Sequence, residues 1–160
     1  MPGLQPNPLL RAAGARDRPR ALTDTFHIHI DGASRGNPGE AGFGVYVTTP
    51  DGAAVAELYG YLGQATNNVA EYQALIHALK YALDRGAARV KLFSDSELVV
   101  RQMAGRYRVK HPAMVPLHRQ AAALLSRFRE ASLEHVRRER NRDADRLANQ
   151  ALDTKESKLF

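Results

Sequence analysis

A chain of 160 residues, 44% hydrophobic and 25% charged, has the balance of one folded domain of ordinary size. No apolar run approaches the roughly 18 residues of a membrane span. There is no cysteine, which excludes disulfides and thiolate metal sites and leaves oxygen and imidazole as metal donors. A net charge of +6 leans toward a polyanionic partner.

Residues 1–24 are rich in Pro, Gly, Arg and Ala, show no sustained period and carry no signal-peptide h-region. They read as a flexible tail, and the expected compartment is the cytoplasm. A folded domain is expected over 25–153, followed by a short C-terminal tail, 154–160.

FHIHID alternates, with Phe26, Ile28 and Ile30 on one face and His27, His29 and Asp31 on the other, and predicts a strand ending at Asp31. The following GASRGNPG reads as a loop. GFGVYVTT and AAVAELYGYL flank the turn PDG and predict a hairpin. NNVAEYQALIHALKYALDRG places Tyr72, Leu75, Ile76, Leu79 and Leu83 at helical spacing, with Gly86 as the stop. ARVKLFSD predicts a short strand and DSELVVRQMAG a short helix. After the basic linker RYRVKHP, AMVPLHRQAAALLSRFRE predicts a longer helix whose stripe of Leu117, Ala121, Leu124, Leu125 and Phe128 suits core packing. SLEHVRR predicts a last strand and DADRLANQALDT a last helix. The order β-β-β-α-β-α-α-β-α predicts an α/β fold. Three antiparallel strands and two parallel ones form a mixed five-stranded sheet with helices on both faces.

Four acids stand at the ends of these elements, and each has an ordinary structural reading. Asp31 suits a turn. Glu71 suits a capping pair with Asn68 as N-cap, and Ser94 with Glu97 suits a second capping box beside Asp95. Asp145 complements the dipole of the last helix, a role Asp143 fills equally well. Together they carry more weight. Strands one and four can be neighbours in such a sheet, and both end in Asp. Carboxylates converging there repel one another unless a cation neutralises them. A hard oxygen cluster selects Mg2+ or Mn2+, and two such ions suit displacement at a phosphodiester. The neighbouring loops offer glycine backbone, Asn37, Thr66 and Asn67. Such uncharged groups suit base edges and 2′-hydroxyls. His27 and His29 share the face of Asp31 and read as interior sheet histidines rather than ligands.

The blocks DGASRGNPG, ATNNVAEYQAL, FSDSELVV and RNRDADRLAN, in that order, resemble the signature blocks of the ribonuclease HI (type 1 ribonuclease H) family. The resemblance spans residues 26–152. It implies the ribonuclease H-like fold and hydrolysis of the RNA strand of RNA–DNA hybrids, leaving 3′-hydroxyl and 5′-phosphate ends. It implies two Mg2+ ions per site, with Mn2+ as a substitute, and a monomeric protein. The catalytic, metal-holding acids are then Asp31, Glu71, Asp95 and Asp145. Asp31 is shared by both ions, Glu71 and Asp95 serve one, and Asp145 serves the other. Asn37 and Asn67 match the family's minor-groove contacts and Thr66 its DNA-phosphate contact, while Gly32 and Gly36 let the RNA strand approach.

Three departures mark a compact form. The loop His that many relatives carry before the last acid is missing: HVRRERNRDAD runs almost directly from strand into helix, with His135 inside the predicted strand, so product release falls to Arg138 or Arg140. The Trp-rich basic helix of many relatives is missing, and Arg106, Arg108, Lys110 and His111 form a reduced substitute. Glu97 stands where relatives often carry Gln, so a weaker groove contact and lower affinity for hybrid are expected. Two rival readings are a non-catalytic nucleic-acid-binding module and another nuclease of this architecture, such as a recombinase or junction resolvase. The complete set of acids argues against the first, and the TNN block against the second.

Overall fold

The computed structural model describes residues 24–160; the tail read over residues 1–24 therefore lies, but for Asp24, outside the described residues. Strands β1 (Thr25–Gly36), β2 (Gly39–Thr48) and β3 (Ala54–Ala65) are followed by helix α1 (Asn67–Asp84). Strand β4 (Arg89–Ser94), helices α2 (Glu97–Met103) and α3 (Val115–Leu125), strand β5 (Glu130–His135), a 3-10 turn (Arg138–Arg140) and helix α4 (Arg142–Thr154) complete the chain. The sheet order is β3-β2-β1-β4-β5. β1, β2 and β3 pair antiparallel, while β4 pairs parallel with both β1 and β5. The mixed five-stranded sheet expected from the sequence is thus present. Among the described residues, no helix is long and apolar enough to cross a membrane.

Alternation along the strands sets the two layers. Phe26, Ile28 and Ile30 of β1, Phe43, Val45 and Val47 of β2, and Val90 and Leu92 of β4 form one buried face. It packs with Tyr72, Leu75, Ile76 and Leu79 of α1, each such side chain contributing about 1.5–3 kcal/mol of burial. Ala121 and Phe128 join this core, and Leu117, Leu124 and Leu125 pack against it, as the predicted stripe requires. On the opposite face α4 lies directly on β2. A Cβ at Gly44 would stand 2.2 Å from the carbonyl oxygen of Ala144, so only glycine permits this approach.

Strand β1 does not end at Asp31. It continues to Gly36 because β2 remains its partner, from Asp31 opposite Gly44 to Gly36 opposite Gly39. What ends near Asp31 is the other neighbour, since the last β1–β4 pair is Ile30 with Ser94. The predicted loop is therefore a strand with one free edge. α3 ends at Leu125, short of its apolar pattern: Arg127 and Phe128 tighten into i→i−3 turns and the N–H of Arg129 turns to the carbonyl of Ala88, leading into the pairing of β5 with β4.

Both expected capping boxes are replaced. Thr66 caps α1, its Oγ1 accepting the N–H of Val69 at 3.2 Å, and Glu71 turns away to another partner. Ser96 caps α2 by accepting the N–H of Val99 at 3.3 Å, while Ser94 Oγ accepts the N–H of Ser96 at 3.0 Å. The C-terminal segment is tied to the exposed edge of β3. Tyr59 and Lys158 exchange backbone hydrogen bonds of 2.9 and 2.7 Å, and Ser157 Oγ accepts the N–H of Tyr61.

Candidate active site

Three elements deliver three carboxylates to one point. Asp31 stands on β1 where β4 stops, Glu71 on the second turn of α1, and Asp95 just past the end of β4. One oxygen from each lies within 4.8 Å of the others. Asp31 and Glu71 are only 6% and 5% exposed, and Asp95 is half-buried. Asp145, in the first turn of α4, is solvent-exposed and lies outside this trio. It lines the same cleft of about 410 Å3, together with Gly32, Asn67 and Arg138. Asn149 Nδ2 donates to the backbone oxygen of Asp145 at 3.0 Å.

Glu71 is oriented by the backbone: the N–H of Gly32 donates to its Oε1 at 2.8 Å. Burial, and then the neighbouring charges of Glu71, Asp95 and Asp145, push the Asp31 carboxyl up to about 9. Burial and Asp95 push Glu71 up to about 8, against the opposing pull of the Gly32 N–H and Arg138. Ionising this group of acids is costly unless a cation shares the space. The donors are all carboxylate oxygens, which fits a hard divalent ion rather than a soft one. His27 and His29 are engaged elsewhere, with ring centroids 6.0 and 4.6 Å from Phe93, and burial lowers the pKa of both.

Of the uncharged candidates, Gly32 and Asn67 line the cleft, while Gly36, Asn37 and Thr66 are not part of its lining and adjoin Asn67. Asn37 Oδ1 accepts the N–H of Asn67 at 3.1 Å, which joins the β1–β2 turn to the start of α1 beside Thr66. Gly36 sits at the same turn with φ of 108°. The basic residues divide between two places. Arg106 and Arg108 line a separate groove of about 690 Å3 between α2 and α3, and Lys110 and His111 follow on the same loop. Arg138 lines the acid cleft; Arg140 is absent from its lining.

Some contributors were not legible beforehand. Asn141 is 1% exposed and donates from Nδ2 to the carbonyl of Ile30 at 2.8 Å, anchoring the start of α4 behind the residue preceding Asp31. Arg35 Nη2 bonds Asp153 at 2.6 Å and Asn149 at 3.3 Å, and Ser34 Oγ donates to the carbonyl of Ala65 at 3.1 Å. The only local signal for these residues was polarity, which is as common on open surface.

Sheet order, helices on both faces and acids gathered at the β1–β4 junction define the ribonuclease H-like class of α/β folds. A family model described as "Reverse transcriptase-like" matches residues 29–151. The bifunctional protein Rv2228c of Mycobacterium tuberculosis is 53% identical over 127 residues, covering 79% of this chain and 35% of that protein. Its N-terminal RNase H domain, solved as a fusion with maltose-binding protein, aligns with a TM-score of 0.79 at 50% identity, covering 81% of this chain and 94% of that one. Ribonuclease HI of Halobacterium salinarum is 46% identical, over 79% of this chain and 64% of that protein. LC11-RNase H1, solved in complex with RNA/DNA hybrid, aligns with a TM-score of 0.77 at 40% identity, covering 81% of this chain and 98% of that one. The chain belongs to the ribonuclease HI family. It spans about a third of the mycobacterial relative and just under two thirds of the archaeal one.

Proposed function

We propose that this chain is a metal-dependent endonuclease that hydrolyses the RNA strand of RNA–DNA hybrids, leaving 3′-hydroxyl and 5′-phosphate ends. The observation that carries the reading is the trio of Asp31, Glu71 and Asp95, with carboxylate oxygens within 4.8 Å and two members almost fully buried. The family's LC11 member, solved with RNA/DNA hybrid, supports the substrate.

In this reading the four acids would hold two Mg2+ ions, Asp31 serving both, Glu71 and Asp95 one of them and Asp145 the other, and Mn2+ would substitute. Bound there, the ions supply charge neutralisation at a phosphodiester and acidify water toward a nucleophile. The remaining work falls to the chain's own residues. The Gly32 N–H holds Glu71 in the orientation needed for binding. Asn37 and Asn67 contact the minor groove and its 2′-hydroxyls, which mark one strand as RNA. Thr66 holds a phosphate of the DNA strand. Gly36, at the turn, leaves room for the backbone of the RNA.

Arg106, Arg108 and Lys110 give the DNA strand a short basic ledge in place of a longer helix. Arg138, inside the cleft, is the better placed of the two arginines to meet the departing phosphate. Residues 25–153 constitute the domain that does this, acting as a monomer. A cysteine-free chain suits the reducing cytoplasm.

The test is cleavage of end-labelled RNA–DNA hybrid, duplex RNA and duplex DNA with Mg2+, Mn2+ or a chelator. Internal cuts confined to the RNA of the hybrid, and lost on chelation, are expected. Binding without cleavage, or equal cutting of duplex DNA, would overturn the reading.

A further inference from the structure

Glu97 follows Ser96, which lines the acid cleft, and itself lines the neighbouring groove together with Arg101 and Arg106. Its charge is not free. Arg101, one turn along α2, donates from Nε at 2.9 Å and approaches with Nη2 at 2.7 Å, both to Oε2 of Glu97. The same guanidinium sits over the ring of Tyr107, 5.4 Å from its centroid. The backbone oxygen of Arg101 accepts the N–H groups of Arg106 at 2.9 Å and Tyr107 at 3.3 Å. One residue thereby ties the first turn of α2 to the loop bearing Arg106, Arg108 and Lys110. Tyr107 is 47% exposed, one of few large apolar side chains so presented among the described residues. A planar fork that pairs with a carboxylate while stacking on an aromatic ring is a task for arginine, not lysine.

We propose that Arg101 is a positioning residue for the nucleic-acid strand that crosses the 104–114 loop. By masking Glu97 and seating Tyr107, it sets how tightly the basic loop holds that strand's phosphates. The inference rests on the hybrid-cleaving reading above.

The experiment is steady-state cleavage of labelled hybrid in Mg2+ by the wild type, Arg101→Ala, Arg101→Lys, Tyr107→Ala and the double variant Glu97→Gln with Arg101→Ala. Thermal melts of each serve as the check on folding. Arg101→Ala is expected to raise KM roughly fivefold while kcat stays within about twofold. Tyr107→Ala raises KM in the same way without touching Glu97. Arg101→Lys keeps the charge but loses the fork, and recovers only part of the loss. Removing the anion in the double variant lowers KM again relative to Arg101→Ala. An unchanged KM in Arg101→Ala and Tyr107→Ala, or full recovery by lysine, overturns the proposal while leaving the nuclease reading intact. A wild type that neither binds nor cuts hybrid sinks both.

Discussion

The backbone N–H of Gly32 donates to Oε1 of Glu71 at 2.8 Å, and the place where a side chain of residue 32 would stand is filled by the peptide between Ala70 and Glu71. A strand and a helix are thus in backbone contact at the residue next to Asp31. A Cβ at position 32 would lie 2.3 Å from the Glu71 nitrogen and 2.4 Å from the Ala70 carbonyl carbon. Gly32→Ala must therefore push α1 away from β1. The expected cost is about 2–3 kcal/mol, a fall in Tm of roughly 6–10 °C, with kcat lowered because Glu71 moves with the helix. A melt that matches the wild type would show that the contact is softer than its geometry.

Asp31 and Glu71 are harder to ionise folded than unfolded, with carboxyls raised to about 9 and about 8. The metal-free fold then binds more protons than the unfolded chain, so its stability falls as pH rises from the ordinary carboxylate range through these values. In a chelator, Tm is expected to be higher at pH 5 than at pH 9. A divalent ion binds the ionised acids and restores Tm, most strongly at the alkaline end. Scanning calorimetry with and without Mg2+ reads both effects, and a metal-free Tm that rises steadily with pH contradicts the cluster's electrostatics.

Asp31→Asn keeps the shape of the side chain and removes its charge. Cleavage of hybrid is expected to disappear, while the metal-free protein at pH 8 becomes more stable than wild type, because the wild type must take up a proton at Asp31 to fold at that pH and the amide needs none. Opposite signs for activity and stability distinguish a working site from a structural one. Near-normal activity would place the chemistry elsewhere.

Asn141 holds the carbonyl of Ile30 from the first residue before α4, the helix that carries Asp145. Asn141→Ala strands that carbonyl in the core at a cost of about 1–3 kcal/mol. Hydrogen exchange is expected to rise in the first turn of α4 before the rest of the sheet is affected. Uniform exchange across the molecule would argue that the bond does not specifically anchor this helix.

Asn37 meets Asn67 through its side-chain oxygen and is otherwise open to solvent. Asn37→Ala is expected to raise KM for hybrid roughly 3- to 10-fold, the worth of a lost hydrogen bond, and to leave calorimetric Mg2+ affinity unchanged. Equal losses in both would mean that the turn supports the acids rather than the substrate.

The element order and the strand faces were legible in the chain because they are written in short-range patterns: alternation by two and helical spacing. Those patterns sufficed for Phe26, Ile28 and Ile30 and for the stripe of α1. They failed where a residue's partner is distant in sequence. Asn68 looked like a cap, yet Thr66 caps, and Glu71 is held instead by Gly32, 39 residues away; Ser94 looked like a cap, yet Ser96 caps, because Ser94 is still paired in the sheet.

By itself, the sequence determined a mixed α/β sheet and a set of carboxylates suited to a hard cation. Tertiary structure alone decided that β1 runs on past Asp31 to Gly36, since a strand lasts as long as one neighbour satisfies its backbone. It also decided which acids meet: Asp31, Glu71 and Asp95 converge because β4 stops beside Asp31 and α1 rests against Gly32, while Asp145, exposed on another helix, stands beside Asp31 alone. Periodicity records which face a residue takes, but convergence depends on how three separate elements pack, and no local pattern encodes that distance.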